Sequence, residues 1–169
     1  MKQLKHLLYF TLGALVFSCS KSDDPAIAPL PTNEIIYGIN KANMLSLING
    51  YRTAGCQCGT ESMPAVAKLA WNDKLGKSAS KHSTDMATKN YFSHTSQDGR
   101  TMADRVNSEG YTWTVLGENI ALGQTSEKQV MESWINSPGH CKNIMNARFT
   151  EVGFGREKNY WTQNFGRPR

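Results

Sequence analysis

The amino-acid sequence predicts an α+β domain in which helices surround a small antiparallel sheet. Ala79, His82 and Met86 recur at spacings of three and four residues, so they share one face of a helix. Apolar and polar residues instead alternate in residues 116–122 and again in residues 152–165, which is typical of strands. A chain of 169 residues, 39% of them hydrophobic, is long enough to bury one core. The predicted architecture is therefore an α-β-α sandwich.

The N-terminus is typical of an export signal. Lys2 and Lys5 precede a short apolar run, residues 7–17, well under the ~20 residues that span a bilayer. Cys19 follows this run, and the stretch "ALVFSCSK" resembles a bacterial lipoprotein signal, in which the cysteine is lipidated. A plain secretory signal is the alternative. We therefore predict a signal peptide in residues 1–18 and a lipid on Cys19.

Residues 19–33 are predicted to form a flexible tether. Three prolines and several polar side chains leave no apolar face that could be buried. Asp23 and Asp24, close behind Cys19, resemble a surface-export signal of some Gram-negative lipoproteins. The expected location is the outer membrane or the cell surface of a Gram-negative bacterium, and the folded domain is expected in residues 34–169.

The net charge argues against one class of partner. It is +5 for the whole chain, and cleavage before Cys19 lowers it to +3 because Lys2 and Lys5 are removed without any acidic residue. A charge this small gives no reason to expect nucleic acid as a partner. The expected partner is instead the membrane, reached through the lipid anchor.

Helix-start signals divide the domain into elements. We predict a first helix within residues 34–52 and a cysteine-bearing loop in residues 55–64. Later helices are predicted to begin where a capping residue precedes an apolar run or a proline. The predicted starts are Asn72, Thr101 with Asp104, Ser126 with Gln129, and Ser137 before Pro138.

Glu118 is the most informative single residue. It alternates with Leu116 and Ile120 on a predicted strand face, and a carboxylate buried there needs a partner or a proton. His94 on a turn and His140 in the first turn of the helix after Ser137 are the available partners. If the three converge, they form a polar pocket. The alternative is that Glu118 lies at an exposed strand end.

Five ordered motifs carry a family resemblance. "YFSHTSQDG", "LGENIALG", "SWINSPGHCKNIMN", "FTEVGFG" and "YWTQNFG" together resemble the bacterial branch of the CAP superfamily, which includes the cysteine-rich secretory proteins. The likeness runs from about residue 39 to residue 166. It implies an α-β-α sandwich with a central cavity lined by His94, Glu118 and His140. Many eukaryotic members add a second glutamate three residues after a tryptophan, but here Ser137 follows Trp134 at that distance.

The resemblance also bears on metals and disulfides. Two imidazoles and a carboxylate form a known zinc set, so zinc at His94 and His140 is one expectation, and a proton-sharing His-Glu-His network with a structural role is the alternative. The family pattern implies a disulfide between Cys58 and Cys141, whereas the residues alone also allow Cys56 as the partner. A zinc site built from the three cysteines and His140 fits usual ligand spacings poorly.

Three function classes remain open. The sequence favours a non-catalytic binding module whose cavity takes a lipid, a glycan or peptidoglycan. The second class is a hydrolase of an envelope or host substrate, using the histidines and Glu118 with or without a metal-activated water. No nucleophile-elbow motif is present, and Ser137 is explained as a helix cap. The third class is a purely structural role of the three polar residues.

Overall fold

The computed structural model describes residues 34–169, so the predicted signal peptide, Cys19 and the tether lie outside the described residues. None of the helices within 34–169 combines the length and apolar character needed to cross a bilayer. The described helices are α1 (Lys41–Ala54), α2 (Asp73–Lys89), α3 (Met102–Ser108), α4 (Glu127–Ile135) and α5 (Pro138–Ile144). The described strands are β1 (Ile35–Ile36), β2 (Ile39–Asn40), β3 (Cys56–Cys58), β4 (Glu61–Met63), β5 (Ala70–Trp71), β6 (Trp113–Leu122), β7 (Glu151–Glu157) and β8 (Tyr160–Pro168).

The main sheet has four strands in the order β5-β7-β8-β6. The β7-β8 and β8-β6 pairs are antiparallel, as the alternation predicts. The two-residue strand β5 pairs with β7 in parallel, a pairing that no pattern in the sequence predicts. Strand β6 lies at one edge of this sheet, and its Glu118 pairs in register with Asn164 of β8.

Helices cover both faces of the sheet. On one face α2 lies so close to β7 that a Cβ on Gly153 or Gly155 would clash with the backbone of α2. On the other face, alternate residues of β7 and β8, including Phe154 and Trp161, join buried residues of α1, α4 and α5 in the larger hydrophobic core. Small residues on one side and aromatic residues on the other therefore produce the predicted sandwich.

The start of the domain differs from the prediction. Residues 35–40 form the β1-β2 hairpin instead of a helix, because Tyr37 and Gly38 adopt positive φ angles of 54° and 76° and turn the chain. The helix α1 begins only after Asn40, whose side chain accepts a hydrogen bond from the Asn43 N–H. The predicted loop of residues 55–64 contains the short β3-β4 hairpin.

Most predicted helix starts are confirmed. Asn72 caps α2, and Thr101 and Asp104 form a reciprocal capping box at α3. Ser126 caps α4 by accepting from the Gln129 N–H. Ser137 is different: it precedes α5 and its proline, but its side chain makes no capping hydrogen bond. The predicted start of α5 at Ser137 and Pro138 is therefore confirmed, but the capping hydrogen bond expected of the Ser137 side chain is absent.

Candidate functional site

A pocket of about 540 Å³ opens at the free edge of β6. One wall comes from the end of β6, a second from the segment after α2, and a third from α4 and the start of α5. The apolar lining residues are Phe92, Ile120, Ala121, Leu122 and Trp134, and the polar ones are Ser93, His94, Gln124, Ser133, Ser137 and His140. Both predicted histidines therefore line one cavity.

The segment that carries His94 is fixed by side chains from two helices. Buried His82 of α2 donates from Nε2 to the Ser93 carbonyl at 2.9 Å, and Arg105 of α3 donates to the His94 carbonyl at 3.0 Å. Burial lowers the pKa of His82. This histidine is a core residue that positions the pocket wall, in agreement with its place in the predicted apolar stripe.

Glu118 lies buried behind His94, with a side chain only 4% exposed. Its Oε1 accepts from His94 Nδ1 at 2.8 Å, and its Oε2 accepts from Arg105 Nη2 at 2.7 Å. With its amide oriented to satisfy both neighbours, Asn164 donates to Oε2 at 3.1 Å and accepts from the Ala79 N–H at 3.2 Å. Every oxygen of the carboxylate is thus hydrogen-bonded, as a buried charge requires.

Arg105 is the functional residue that sequence reasoning missed. Its side chain is 4% exposed, and besides Glu118 it donates to the Ser96 hydroxyl and the Arg100 carbonyl, each at 3.2 Å. A charged residue on a short helix usually faces solvent, so the helix pattern gave no signal. The need for a cation near a carboxylate on an apolar strand was the available clue, since α3 directly precedes β6.

His140 shares the pocket with His94 but stays apart from Glu118. Its carbonyl accepts from Asn119 Nδ2 at 3.2 Å, while its imidazole makes no hydrogen bond within residues 34–169. Burial, with a smaller contribution from His94, lowers the pKa of His140. The structure therefore joins His94 to Glu118 and leaves His140 as a separate part of the wall.

The zinc expectation can be tested against this arrangement. Within the described part of the chain, three ligand atoms of His, Cys, Asp or Glu lie within 4.8 Å of one another at Cys56, Cys58 and Cys141, but not at His94, Glu118 and His140. Both oxygens of Glu118 are already bonded. The pocket thus offers two imidazoles without a converging third ligand, which does not fit the three-ligand zinc sites of proteins.

The cysteines lie on the far side of α5. Cys58 of β3 and Cys141 of α5 form a disulfide with a Cα–Cα distance of 5.4 Å, which is the pairing that the family pattern implies. Cys56 is a free thiol, half-buried, with its Sγ 3.7 Å from Cys141 Sγ. The Cys58–Cys141 disulfide joins residues 83 positions apart in the sequence. It holds α5, and with it His140, against the β3-β4 hairpin.

Comparison with protein families and curated proteins agrees with the family that the motifs resemble. The model of the cysteine-rich secretory protein family matches residues 45–165. The chain is 43% identical over 99 residues to the uncharacterized protein YkwD of Bacillus subtilis (strain 168), covering 57% of this chain and 38% of that protein. It is 38% identical over 100 residues to the uncharacterized membrane protein YlbC of the same organism, covering 59% of this chain and 29% of that protein. The chain thus spans well under half the length of either curated relative.

Solved structures show the same fold. An extracellular protein containing an SCP domain from Bacillus anthracis str. Ames has a TM-score of 0.59 and 38% identity, over 60% of this chain and 34% of that chain. An outer surface protein of Borrelia burgdorferi has a TM-score of 0.60 and 20% identity, over 76% of this chain and 89% of that chain. At that identity the second likeness supports the fold alone.

Proposed function

The chain belongs to the cysteine-rich secretory protein family, and we propose that this member is an envelope-anchored binding module whose pocket beside β6 takes the apolar part of a lipid. Lipidation of Cys19 would hold it at the membrane. This location agrees with the solved neighbour from Bacillus anthracis, at 38% identity, which is described as an extracellular protein.

One observation carries the choice of ligand. The large hydrophobic side chains that stand exposed within residues 34–169 are Ile35, Phe92 and Leu122. Two of them, Phe92 at 47% and Leu122 at 44% exposure, line the same pocket from different elements, the segment after α2 and the end of β6. Exposed apolar surface gathered in one concave site favours a ligand that removes it from water.

The other pocket residues suit a polar head at the same site. His94, His140 and the hydroxyls of Ser93, Ser133 and Ser137 provide hydrogen-bonding groups beside the apolar wall. An amphipathic molecule would find both surfaces within one cavity. A glycan is the other ligand class, because it would use the same polar groups and pack its apolar face against Phe92.

Titration of a fluorescent fatty acid into the unlipidated Cys19→Ser protein tests the proposal. We expect saturable binding that Leu122→Asp weakens by at least about tenfold, since the acyl chain would then meet a charge. Ile35→Asp is the matched control, because Ile35 is 68% exposed and lies outside the pocket. Equal affinity in both variants, or binding of a peptidoglycan-derived glycan alone, would overturn the lipid assignment.

The anchor needs a separate test. Cells expressing the wild-type protein should incorporate labelled fatty acid into it and retain it in the membrane fraction. The Cys19→Ser protein should lose the label and leave that fraction. If the label persists in the variant, or if the wild-type protein is released unlabelled, the lipoprotein assignment fails.

A hydrolase is the second candidate function, favoured by the His94–Glu118 hydrogen bond. A carboxylate that fixes Nδ1–H of an imidazole leaves Nε2 available as a general base at the pocket, and the His94 side chain is 58% exposed. A screen of ester, amide and glycoside substrates checks this candidate. Turnover that falls at least ~100-fold in Glu118→Gln, with the fold retained, would establish it, and absence of turnover in wild type would remove it.

A further inference from the structure

Three sulfur atoms meet between β3 and α5, outside the pocket. The Sγ atoms of Cys56, Cys58 and Cys141 all lie within 4.8 Å of one another, and Cys56 Sγ is 3.7 Å from Cys141 Sγ. Cys58 and Cys141 are bonded to each other, so a free thiol stands in contact with a disulfide.

The strand geometry explains why both cysteine side chains of β3 face the helix. Side chains two residues apart in a strand point to the same side, so Cys56 and Cys58 of β3 both face α5, while Gln57 between them is exposed on the other side. Cys141 is fully buried at this contact. The strand therefore places two sulfur atoms, one free and one bonded, next to the single cysteine of α5.

We propose that Cys56 and Cys58 exchange as the disulfide partner of Cys141. The Cys56 thiol loses its proton to solvent, and its thiolate attacks Cys141 Sγ. The Cys56–Cys141 bond forms as the Cys58–Cys141 bond breaks, and the Cys58 thiolate leaves and takes up a proton. The reaction conserves the number of disulfides and thiols, so it needs no external oxidant or reductant.

Solvent access and acidity set the conditions for this exchange. Cys56 is half-buried, so its thiol reaches water, whereas Cys58 is buried behind it. Burial raises the pKa of the Cys56 thiol, so only a small fraction is thiolate at neutral pH. The exchange rate should consequently rise with pH, by nearly tenfold per pH unit while the thiol remains mostly protonated.

The exchange would move the pocket wall. Gly59 of the hairpin packs against the ring of Pro138, so the hairpin and the first turn of α5 are in direct contact. A change of partner moves the anchor of α5 by two residues along β3. The start of α5 also places Ser137 and His140 in the pocket wall. Hydrogen bonds from Asn119 to the His140 carbonyl, and from Asn143 to Asn119 and to the Glu118 carbonyl, connect α5 to β6. The exchange itself is independent of the proposed lipid binding, and only its effect on the ligand rests on that function.

Disulfide mapping tests the exchange. The full chain is used with Cys19→Ser, so that no thiol outside the cluster takes part. It is held at pH 7 or pH 9, quenched with acid, labelled with a maleimide and fragmented to locate the label. We expect label on both Cys56 and Cys58, with the Cys58 label arising faster at pH 9. Label confined to Cys56 at both pH values would overturn the proposal.

Variants separate the two pairings. The Cys58→Ser protein should form a Cys56–Cys141 disulfide, and the Cys56→Ser protein should keep the Cys58–Cys141 disulfide. A thiol assay should therefore detect no free thiol in either protein. Cys56→Ser/Cys58→Ser/Gln57→Cys is the control, because its single hairpin thiol faces away from α5 and should remain free beside a free Cys141. Two free thiols in a folded Cys58→Ser protein would contradict the exchange.

A separate binding measurement tests whether the disulfide exchange affects the pocket. The Cys56→Ser and Cys58→Ser proteins lock the two pairings, and we expect their affinities for the fluorescent fatty acid to differ. Equal affinities would show that the exchange does not reach the pocket. If neither protein nor wild type binds fatty acid, the lipid proposal fails while disulfide mapping still decides the exchange.

Discussion

Two buried arginines hold different parts of this domain together in different ways. Arg52 of α1 has no exposed surface and donates only to main-chain carbonyls: Ala67 at 2.8 Å, Ile144 at 2.6 Å and, more weakly, Asn146 and Phe149. Arg105 of α3 is also buried, but its shortest hydrogen bond is to the carboxylate of Glu118. One cation therefore ties loops together, and the other fixes a charge behind the pocket.

The difference shows what each arginine contributes. Burial lowers the pKa of Arg52 to about 10, which still leaves it cationic at neutral pH, and its charge is solvated by carbonyl dipoles alone. Arg105 completes an ion pair whose carboxylate also holds His94. Arg52 should therefore matter for stability of the whole domain, whereas Arg105 should matter for stability and for the position of His94.

The largest expected effect is that of Arg52→Met. The change removes the Arg52 donor from the Ala67, Ile144 and Phe149 carbonyls, each costing about 1–3 kcal/mol when buried, while the Asn146 carbonyl keeps the Phe149 N–H. We therefore expect a loss of about 4–6 kcal/mol. Urea unfolding followed by tryptophan fluorescence measures it. Arg148→Met, at an exposed arginine nearby, should change stability by less than about 0.5 kcal/mol. Similar losses in the two variants would show that the carbonyl contacts contribute little.

Arg105→Met should cost somewhat less, about 3–5 kcal/mol, because it leaves Glu118 buried without its cation. The double variant Arg105→Met/Glu118→Leu should recover the part of this loss that comes from the unpaired carboxylate, since no uncompensated charge remains, but not the part that comes from the His94 and Arg100 carbonyls. A double-mutant cycle in urea measures the coupling. No such rescue exists for Arg52 among its described contacts, which are all to main chain. Additive losses in the cycle would contradict the ion-pair interpretation.

The sandwich could be predicted from the sequence because many residues contribute to each helical or alternating apolar pattern. Apolar stripes and capping residues at Asn72, Thr101 and Ser126 describe local chemistry, and local chemistry determines where these helices begin. The β1-β2 hairpin was missed because a tight turn at Tyr37 and Gly38 overrides an apolar pattern that also fits a helix.

The pocket was predicted only in part for a related reason. His94, Glu118 and His140 stand in motifs, but their partners depend on packing between distant segments. The sequence analysis named His94 and His140 as the partners of Glu118, but in the structure Arg105 is its second partner. The partners of the Glu118 oxygens depend on how separate elements pack together. Residue spacing within one helix or strand therefore does not predict them.

A smaller effect concerns the histidine that supports the pocket wall. Burial lowers the pKa of His82 in the folded protein, so the unfolded chain binds a proton more readily and stability falls as the pH drops below about 6.5. His82→Gln keeps a donor near the Ser93 carbonyl and should flatten this dependence. Thermal unfolding between pH 5 and 8 measures it, each kcal/mol lowering Tm by about 3–5 °C.

The matched comparison for that pH dependence is His140→Gln. The pKa of His140 is lowered in the same direction, but its imidazole is only half-buried and makes no hydrogen bond to the described residues. We therefore expect His140→Gln to flatten the profile less than His82→Gln does. An unchanged profile in His82→Gln would show that this buried histidine does not set the acid sensitivity.

The smallest expected effect is the difference in stability between Ser126→Ala, at a helix cap, and Ser137→Ala, at a pocket residue. Ser126 accepts from the Gln129 N–H at 3.2 Å, so Ser126→Ala should cost about 1 kcal/mol. Ser137 occupies the same position before α5 without a capping bond, so Ser137→Ala should cost less than about 0.5 kcal/mol. Urea unfolding of the two variants side by side measures the difference. Equal losses would mean that Ser137 caps α5 in solution. If only Ser126→Ala destabilises, the start of α5 depends on Pro138 and the disulfide, and the Ser137 hydroxyl is left to face the pocket.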